Sequence, residues 1–391
     1  MCFNPLVSET TAGAVLALVR SGHAATRSEL GRRTGLSRSA VSARVAALTE
    51  AGLLLEGDEL ASTGGRPPGG LLFNVDAAVV LGVAIGRSRS QLGLFDLEGR
   101  KIVGDSRDHA VGIGPDELLP DVAARLAKLL RGVDRPVAGV GMSLPGTVDP
   151  ERRISLDSPV MRGWDGVELA PHLSAVCDAP LYLTNDTSAL ARSELFGHGV
   201  PSSDMLVVKA STGLGLGVVA DGRLVNEHRG VTGELGHTRV DAAGELLCRC
   251  GATGCLETIA GGWALVARLT DQGVEARHVR DLVALALDGD PRARNLLRES
   301  GRYVGEVLSV AVNLLNPQTI VIGGDMGAAF DLYSAGVREA VYARSTARAT
   351  RELRFSPAAH GDSAGLVGCA AVVIENELSA SAVDARLRRH A

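Results

Sequence analysis

The chain has 391 residues, 46% of them hydrophobic and only 3% aromatic, so Ala, Val, Leu and Gly must fill its core. That length suggests two or three domains, and small aliphatic side chains suit packed α/β layers. The net charge of −5 excludes a uniformly basic nucleic-acid coat, so DNA contact has to come from a local patch.

Residues 1–75 hold seven Arg against six Asp or Glu, while the remainder holds 33 basic against 39 acidic residues. The start, Met1-Cys-Phe-Asn-Pro5, has no basic or long apolar run, so no targeting segment is expected. No stretch is apolar enough to predict a membrane span. Three of the six cysteines crowd into 248–255, which is not a spread disulfide framework; a reducing cytoplasm is expected.

The first predicted helix covers Thr11–Arg20, with Val15, Leu16, Leu18 and Val19 apolar. Thr26-Arg-Ser-Glu29 is a capping box for a second helix, and Thr34-Gly35-Leu36 is a tight turn. Ser37 then caps a third helix, Arg38–Ala51, whose Val41, Val45 and Leu48 share one buried face and which Gly52 terminates. The opposite face presents Ser37, Arg38, Ser39, Ser42 and Arg44, short or basic side chains able to approach phosphates and base edges. Two short strands follow, Leu53–Leu55 and Leu71–Asn74, and between them lies Thr63-Gly64-Gly65-Arg66-Pro67. An Arg flanked by glycines on a hairpin tip suits a minor groove. Three helices and a hairpin also fit a small dimerisation module; the G-G-R-P tip favours DNA. This order of elements resembles the winged-helix domain of ROK (repressor, open reading frame, kinase) repressors.

Residues 76–391 alternate strand-like and helix-like stretches, without an obvious sequence repeat. Predicted strands are Val79–Ile85, Gln91–Asp96, Val137–Ser143, Leu181–Thr184, Leu206–Ala210 and Thr319–Gly323. The longest helical pattern places Val304, Val307, Leu308, Ala311 and Leu314 on one face. Three glycine-rich stretches, Gly82–Ser88, Ser211–Gly217 and Gly323–Asp325, read as turns whose amides reach a phosphate or sugar. Cys248, Cys250 and Cys255, with His237 eleven residues upstream, suit a closed tetrahedral Zn²⁺ site; reduced thiols are the alternative.

The whole stretch resembles the ROK body, which implies a two-lobed actin/hexokinase-like (ribonuclease H-like) fold over 76–391, with a lobe break near 186–190, behind a winged helix-turn-helix at 1–75. Gly233-Glu234-Leu-Gly236-His237 and Cys248-Arg-Cys250-Gly-Ala-Thr-Gly-Cys255-Leu-Glu257 match its two most specific signatures, and Asn185-Asp186 matches its catalytic pair. Pro145-Gly146 and Gly163-Trp164 match smaller landmarks. The resemblance implies that Asn185, Asp186, Glu234, His237 and Glu257 hold a sugar, that Asp186 is the general base if kinase activity survives, and that Thr212, Gly213 and Gly215 belong to a phosphate loop.

Three departures stand out. The first phosphate loop normally reads D-x-G-x-T, and here it reads Ala84-Ile-Gly86-Arg87-Ser88, so the carboxylate that organises Mg²⁺ is missing. Thr187-Ser188 replaces the usual Ala-Asn, and Val160 stands where Asn is frequent. The expected function is a DNA-binding transcriptional repressor with a structural zinc, sensing a sugar or sugar phosphate and binding operator DNA as a homodimer or homotetramer. ATP and Mg²⁺ are not expected. An ATP-dependent sugar kinase with an appended DNA-binding domain is the alternative, and a ligand-free sensor is a third.

Overall fold

The computed structural model describes residues 11–59, 69–156, 161, 163–196, 202–225 and 233–390. The glycine-flanked Arg66 and the Ser158–Val160 stretch lie outside them.

Three helices open the described chain: α1 (Ala12–Arg20), α2 (Arg27–Thr34) and α3 (Arg38–Glu50). Thr11, Thr26 and Ser37 cap them, each side chain accepting a backbone N–H three residues on. Val15, Leu16, Leu30, Val41, Val45 and Leu48 bury the shared face, and the hairpin β1 (Leu54–Glu59) and β2 (Gly69–Phe73) closes over it. This is the predicted winged-helix order, with the first strand starting one residue later and running to Glu59.

The body contains two five-stranded sheets. The first comprises β3 (Val79–Ile85), β4 (Arg89–Phe95), β5 (Lys101–Asp108), β6 (Val137–Leu144) and β9 (Leu181–Asn185), in the order β5-β4-β3-β6-β9. A small ribbon of β7 (Thr147–Asp149) and β8 (Ile154–Leu156) interrupts it in sequence. The second comprises β10 (Met205–Ala210), β11 (Leu214–Ala220), β12 (Arg223–Leu224), β13 (Thr319–Gly323) and β14 (Arg354–Pro357), in the order β12-β11-β10-β13-β14. In both, an antiparallel meander of three strands is extended by two parallel ones. The repeat that the sequence hid is therefore one of topology.

Helices cover the sheets. On the first lie α4 (Pro115–Leu129) and α5 (Ala170–Ser174). The second carries α7 (Glu257–Ala260), α8 (Gly262–Asp271), α9 (Val279–Leu287), α10 (Pro291–Leu315), α11 (Phe330–Arg344) and α12 (Ala347–Thr350). Within α10 the buried face is Leu297, Val304, Leu308 and Val312, whereas Leu314 is 77% exposed. The spacing that put Leu314 inward drifts off the face in the last turn, where Asn316 ends the helix.

Two helices cross between the sheets, α6 (Asp186–Leu195) and α13 (Ala364–Glu377). They approach so closely that a Cβ on Gly368 would sit 2.8 Å from the Cα of Ala189. The chain ends in α14 (Ala380–His390), which leaves the body and returns to the winged helix. Val383 is buried there in one apolar cluster with Val15, Leu16 and Val19, and Asp384 accepts the N–H of Gly13 at 2.8 Å. The helix-turn-helix module thus draws its core from both ends of the sequence, across the expected division at 75/76. No single helix among the described residues is long and apolar enough to cross a membrane.

Candidate functional site

A cavity of about 490 Å³ opens at the C-terminal ends of β3, β6, β9, β10 and β13, where open parallel sheets place ligands. It gathers Asn185, Asp186, Glu234, His237 and Glu257 from three separate segments, together with the turn Ser211–Gly213. Asn185 ends β9 and caps α6 through its side-chain oxygen, which accepts the N–H of Ser188 at 2.7 Å; its amide NH₂ is the arm left for a ligand. Glu257, only 4% exposed, accepts the N–H of Leu214 and the indole N–H of Trp263, both at 3.0 Å. It therefore fixes the β10–β11 hairpin against α8 as well as facing the cavity. Burial raises the Glu234 carboxyl above its ordinary range, and the nearby Asp186 and Glu257 add to that against the opposing pull of His237.

The predicted phosphate stretch 211–217 divides in two. Ser211–Gly213 is a tight turn, but Leu214–Gly217 is already strand β11. A Cβ on Gly213 would meet Glu257 Oε2 at 2.8 Å, and one on Gly215 would lie 3.1 Å from Thr187 Cβ. Gly213 in the turn is thus held against Glu257 and Gly215 in the strand against α6, so each position carries a packing requirement besides its place in the cavity wall.

Lys209 was not anticipated. Its Nζ lies 2.9 Å from Asp186 Oδ2, so the expected base is ion-paired. Burial opposes the Lys209 charge, but Asp186, Asp325 and Glu257 outweigh it and hold its pKa above the ordinary value. A lone cation in the apolar strand Met-Leu-Val-Val-Lys-Ala was the signal available in sequence. Across the cavity, Ala84 projects near Gly365 of α13 and offers no metal-organising group.

His237, Cys248, Cys250 and Cys255 bring their ligand atoms within 4.8 Å of one another. His237 Nδ1 lies 3.6 Å from Cys248 Sγ, while Nε2 points toward Glu234 at 3.7 Å. Burial pushes the Cys248 thiol up to about 12 and raises Cys255 as well, so these two thiols sit where ionisation is costly unless a cation compensates. The group could hold a metal, and the donor set fits one. Arg249, between two of the thiols, stacks 4.2 Å over Trp263, whose N–H holds Glu257. The cysteine loop and the cavity floor are therefore in contact through Trp263, which sequence reading missed.

On the helix-turn-helix, Arg38, Ser39 and Ser42 are exposed as expected. The Ser37 hydroxyl caps α3 through Ala40, and Arg44 Nη1 donates to the Ala40 carbonyl at 3.0 Å, so Arg44 is folded along its own helix. Arg32 and Arg33, exposed at the end of α2, extend the basic surface and were overlooked.

A helix-turn-helix module joined to a two-lobed, sugar-kinase-like body with a cavity at its strand ends defines a class of DNA-binding regulators. The ROK family model matches residues 80–376 and the MarR family model residues 7–60, and the chain belongs to the ROK family. It is 28% identical to a xylose repressor of Bacillus spizizenii over 356 residues, covering 90% of this chain and 91% of that protein. It is 30% identical to the DNA-binding transcriptional repressor Mlc of Escherichia coli, covering 83% of each. Among solved structures, a ROK family transcriptional regulator homologous to Mlc superposes with a TM-score of 0.80 at 27% identity, covering 98% of this chain and 99% of that one. A ROK family glucokinase from Streptomyces griseus, solved with glucose and AMPPNP, superposes at 0.65 and 27%, covering 75% of this chain and 99% of its own.

Proposed function

We propose that this chain is a one-component transcriptional repressor: the body binds a sugar or sugar phosphate, and the winged helix binds operator DNA in the cytoplasm. The observation that carries this reading is the path of the C-terminal helices. The start of α13 lines the cavity at Ala364 and Gly365, and α14, which follows it, is seated on α1 of the winged helix. A ligand that favours one packing of α13 shifts the presentation of α3 by its differential affinity for the two states. Two copies, as a homodimer or homotetramer, supply the two half-sites that a helix-turn-helix needs.

The metal that suits the donor set is Zn²⁺, held by His237, Cys248, Cys250 and Cys255. Four protein donors leave no place for an activated water, so its contribution is structural. It keeps the Glu234–His237 segment beside Glu257, helped by the backbone bond from Leu256 N–H to Thr238 O at 2.8 Å.

A sugar kinase is the second reading, favoured by the retained Asp186 and by the likeness to a glucokinase. Against it stand Ala84, which removes the metal-organising carboxylate, and the Lys209 ammonium on Asp186. The test pairs two measurements on zinc-loaded protein. Sugars that raise its melting temperature are added to the protein bound to a DNA fragment selected from a random pool, and anisotropy reports release. A coupled ADP-release assay with the same sugars should stay at background; robust turnover refutes the non-enzymatic reading.

A further inference from the structure

Among the described residues, one cation in the cavity has no counter-charge in contact. The Lys and Arg side chains described on its wall besides Arg87 each have a carboxylate: Lys209 has Asp186 at 2.9 Å, Arg89 has Asp362 at 3.1 Å and Arg280 has Asp108 at 2.8 Å. Arg87 has none among the described residues. It sits half-buried at the β3–β4 turn, which the bond from Gly86 N–H to Arg89 O closes at 2.8 Å. Its Nε is buried and finds no hydrogen-bond partner among the described residues. The acid whose field it feels is Glu257, and both oxygens of Glu257 are already engaged by Leu214 and Trp263.

A guanidinium does not escape this position by losing its proton. A buried, unmatched donor is costly until something accepts from it. The same wall carries Ala84 in place of a carboxylate, so no acid from β3 compensates it. The planar fork of Arg matches the oxygens of a phosphate or carboxylate.

Building on the sugar-sensor reading above, we propose that the effector is an anionic monosaccharide. Its hydroxyls meet the Asn185–Asp186 and Glu234 side, and its phosphate or carboxylate group lies on Arg87. The cavity then uses Arg87 for direct capture of an anion, where a kinase would use a carboxylate-bound metal to handle one.

The experiment measures dissociation constants on the zinc-loaded full chain for glucose and N-acetylglucosamine, for their 6-phosphates, and for glucuronate. The expected result is at least tenfold tighter binding of an anionic sugar than of its neutral parent. That ratio collapses toward one in Arg87→Gln and partly recovers in Arg87→Lys. Inorganic phosphate should compete with a sugar phosphate on the wild-type protein, which tests the same contact without a substitution. Preference for glucuronate identifies a carboxylate as the anion, and preference for a 6-phosphate identifies a phosphate ester. If neutral sugars bind as well as their anionic counterparts, or Arg87→Gln leaves the ratio intact, the inference is overturned while the sensor reading stands. If none of these sugars binds, both fall.

Discussion

Gly13 lies inside α1, where glycine costs about 1 kcal/mol relative to alanine. The packing of α14 explains the choice. A Cβ at Gly13 would lie 2.6 Å from the Ala380 Cα and closer still to its carbonyl oxygen. These are backbone atoms, so no rotamer change relieves the overlap, and α14 must back away by about 1 Å to restore ordinary contact. That movement breaks the bond from Gly13 N–H to Asp384, a hydrogen bond to a charged group contributing about 1.5–3 kcal/mol. It also loosens Val383, 1% exposed, whose burial contributes roughly 1.5–3 kcal/mol. Set against the helix-propensity gain of about 1 kcal/mol, Gly13→Ala should lose roughly 2–5 kcal/mol of winged-helix docking. Asp384→Ala removes the same bond from the other side. In a double-mutant cycle the pair should therefore cost clearly less than the sum of its members. Thermal melting supplies the energies, and operator anisotropy with and without effector supplies the function. Both variants should narrow the effector-induced change in operator affinity, because the link from α13 to α3 is loosened. Gly13→Ala that melts at or above wild type with a full effector response would refute the reasoning.

Glu194, 6% exposed near the end of α6, accepts the Ala359 N–H at 2.9 Å, and burial raises its pKa from 4.5 to about 7. A carboxyl raised in this way costs stability as pH rises from 4.5 to 7, about 3 kcal/mol in full. Glu194→Gln should therefore match wild type at pH 4.5 and melt several degrees higher at pH 8; parallel melting curves would sink the assignment. Lys209→Met leaves the Asp186 carboxylate, 19% exposed, without its cation, and should lose about 3 kcal/mol, the low end for a broken buried pair. Calorimetry of the two proteins side by side checks this, and an unchanged unfolding free energy counts against the pair. Chelation, or Cys255→Ser, should remove one zinc per chain by elemental analysis and abolish the effector response. Zinc-free protein that binds sugar with normal affinity would show that metal and cavity are independent.

What could be read from sequence was local. The caps Thr26 and Ser37, the buried triplet of α3, and three thiols within eight residues announce themselves over a few turns of chain. Strand β5 was invisible because it is an edge strand exposed along nearly its whole length, with charges instead of an alternating pattern. The glycines at 213, 215 and 217 were visible, but what packs against them was not. Gly215 and Gly217 alternate at the period of a strand face and Gly213 closes the turn before it, while their neighbours across the gap, Thr187, Ala191 and Glu257, come from distant segments. Long-range pairing defeated the rest. Asp384 is 371 residues from the Gly13 N–H it accepts, and Arg280 is 172 from its carboxylate partner Asp108. The same limit governs the charges of the cavity. Lys209 stands alone in an apolar strand and Arg87 follows one, with Arg89 two residues on, but neither pattern says which cation finds a carboxylate. Only the folded chain separates the two, giving Lys209 the Asp186 carboxylate and leaving the Arg87 Nε, among the described residues, with no acceptor. The first fixes a group the cavity already owns, and the second asks for one that a ligand must bring.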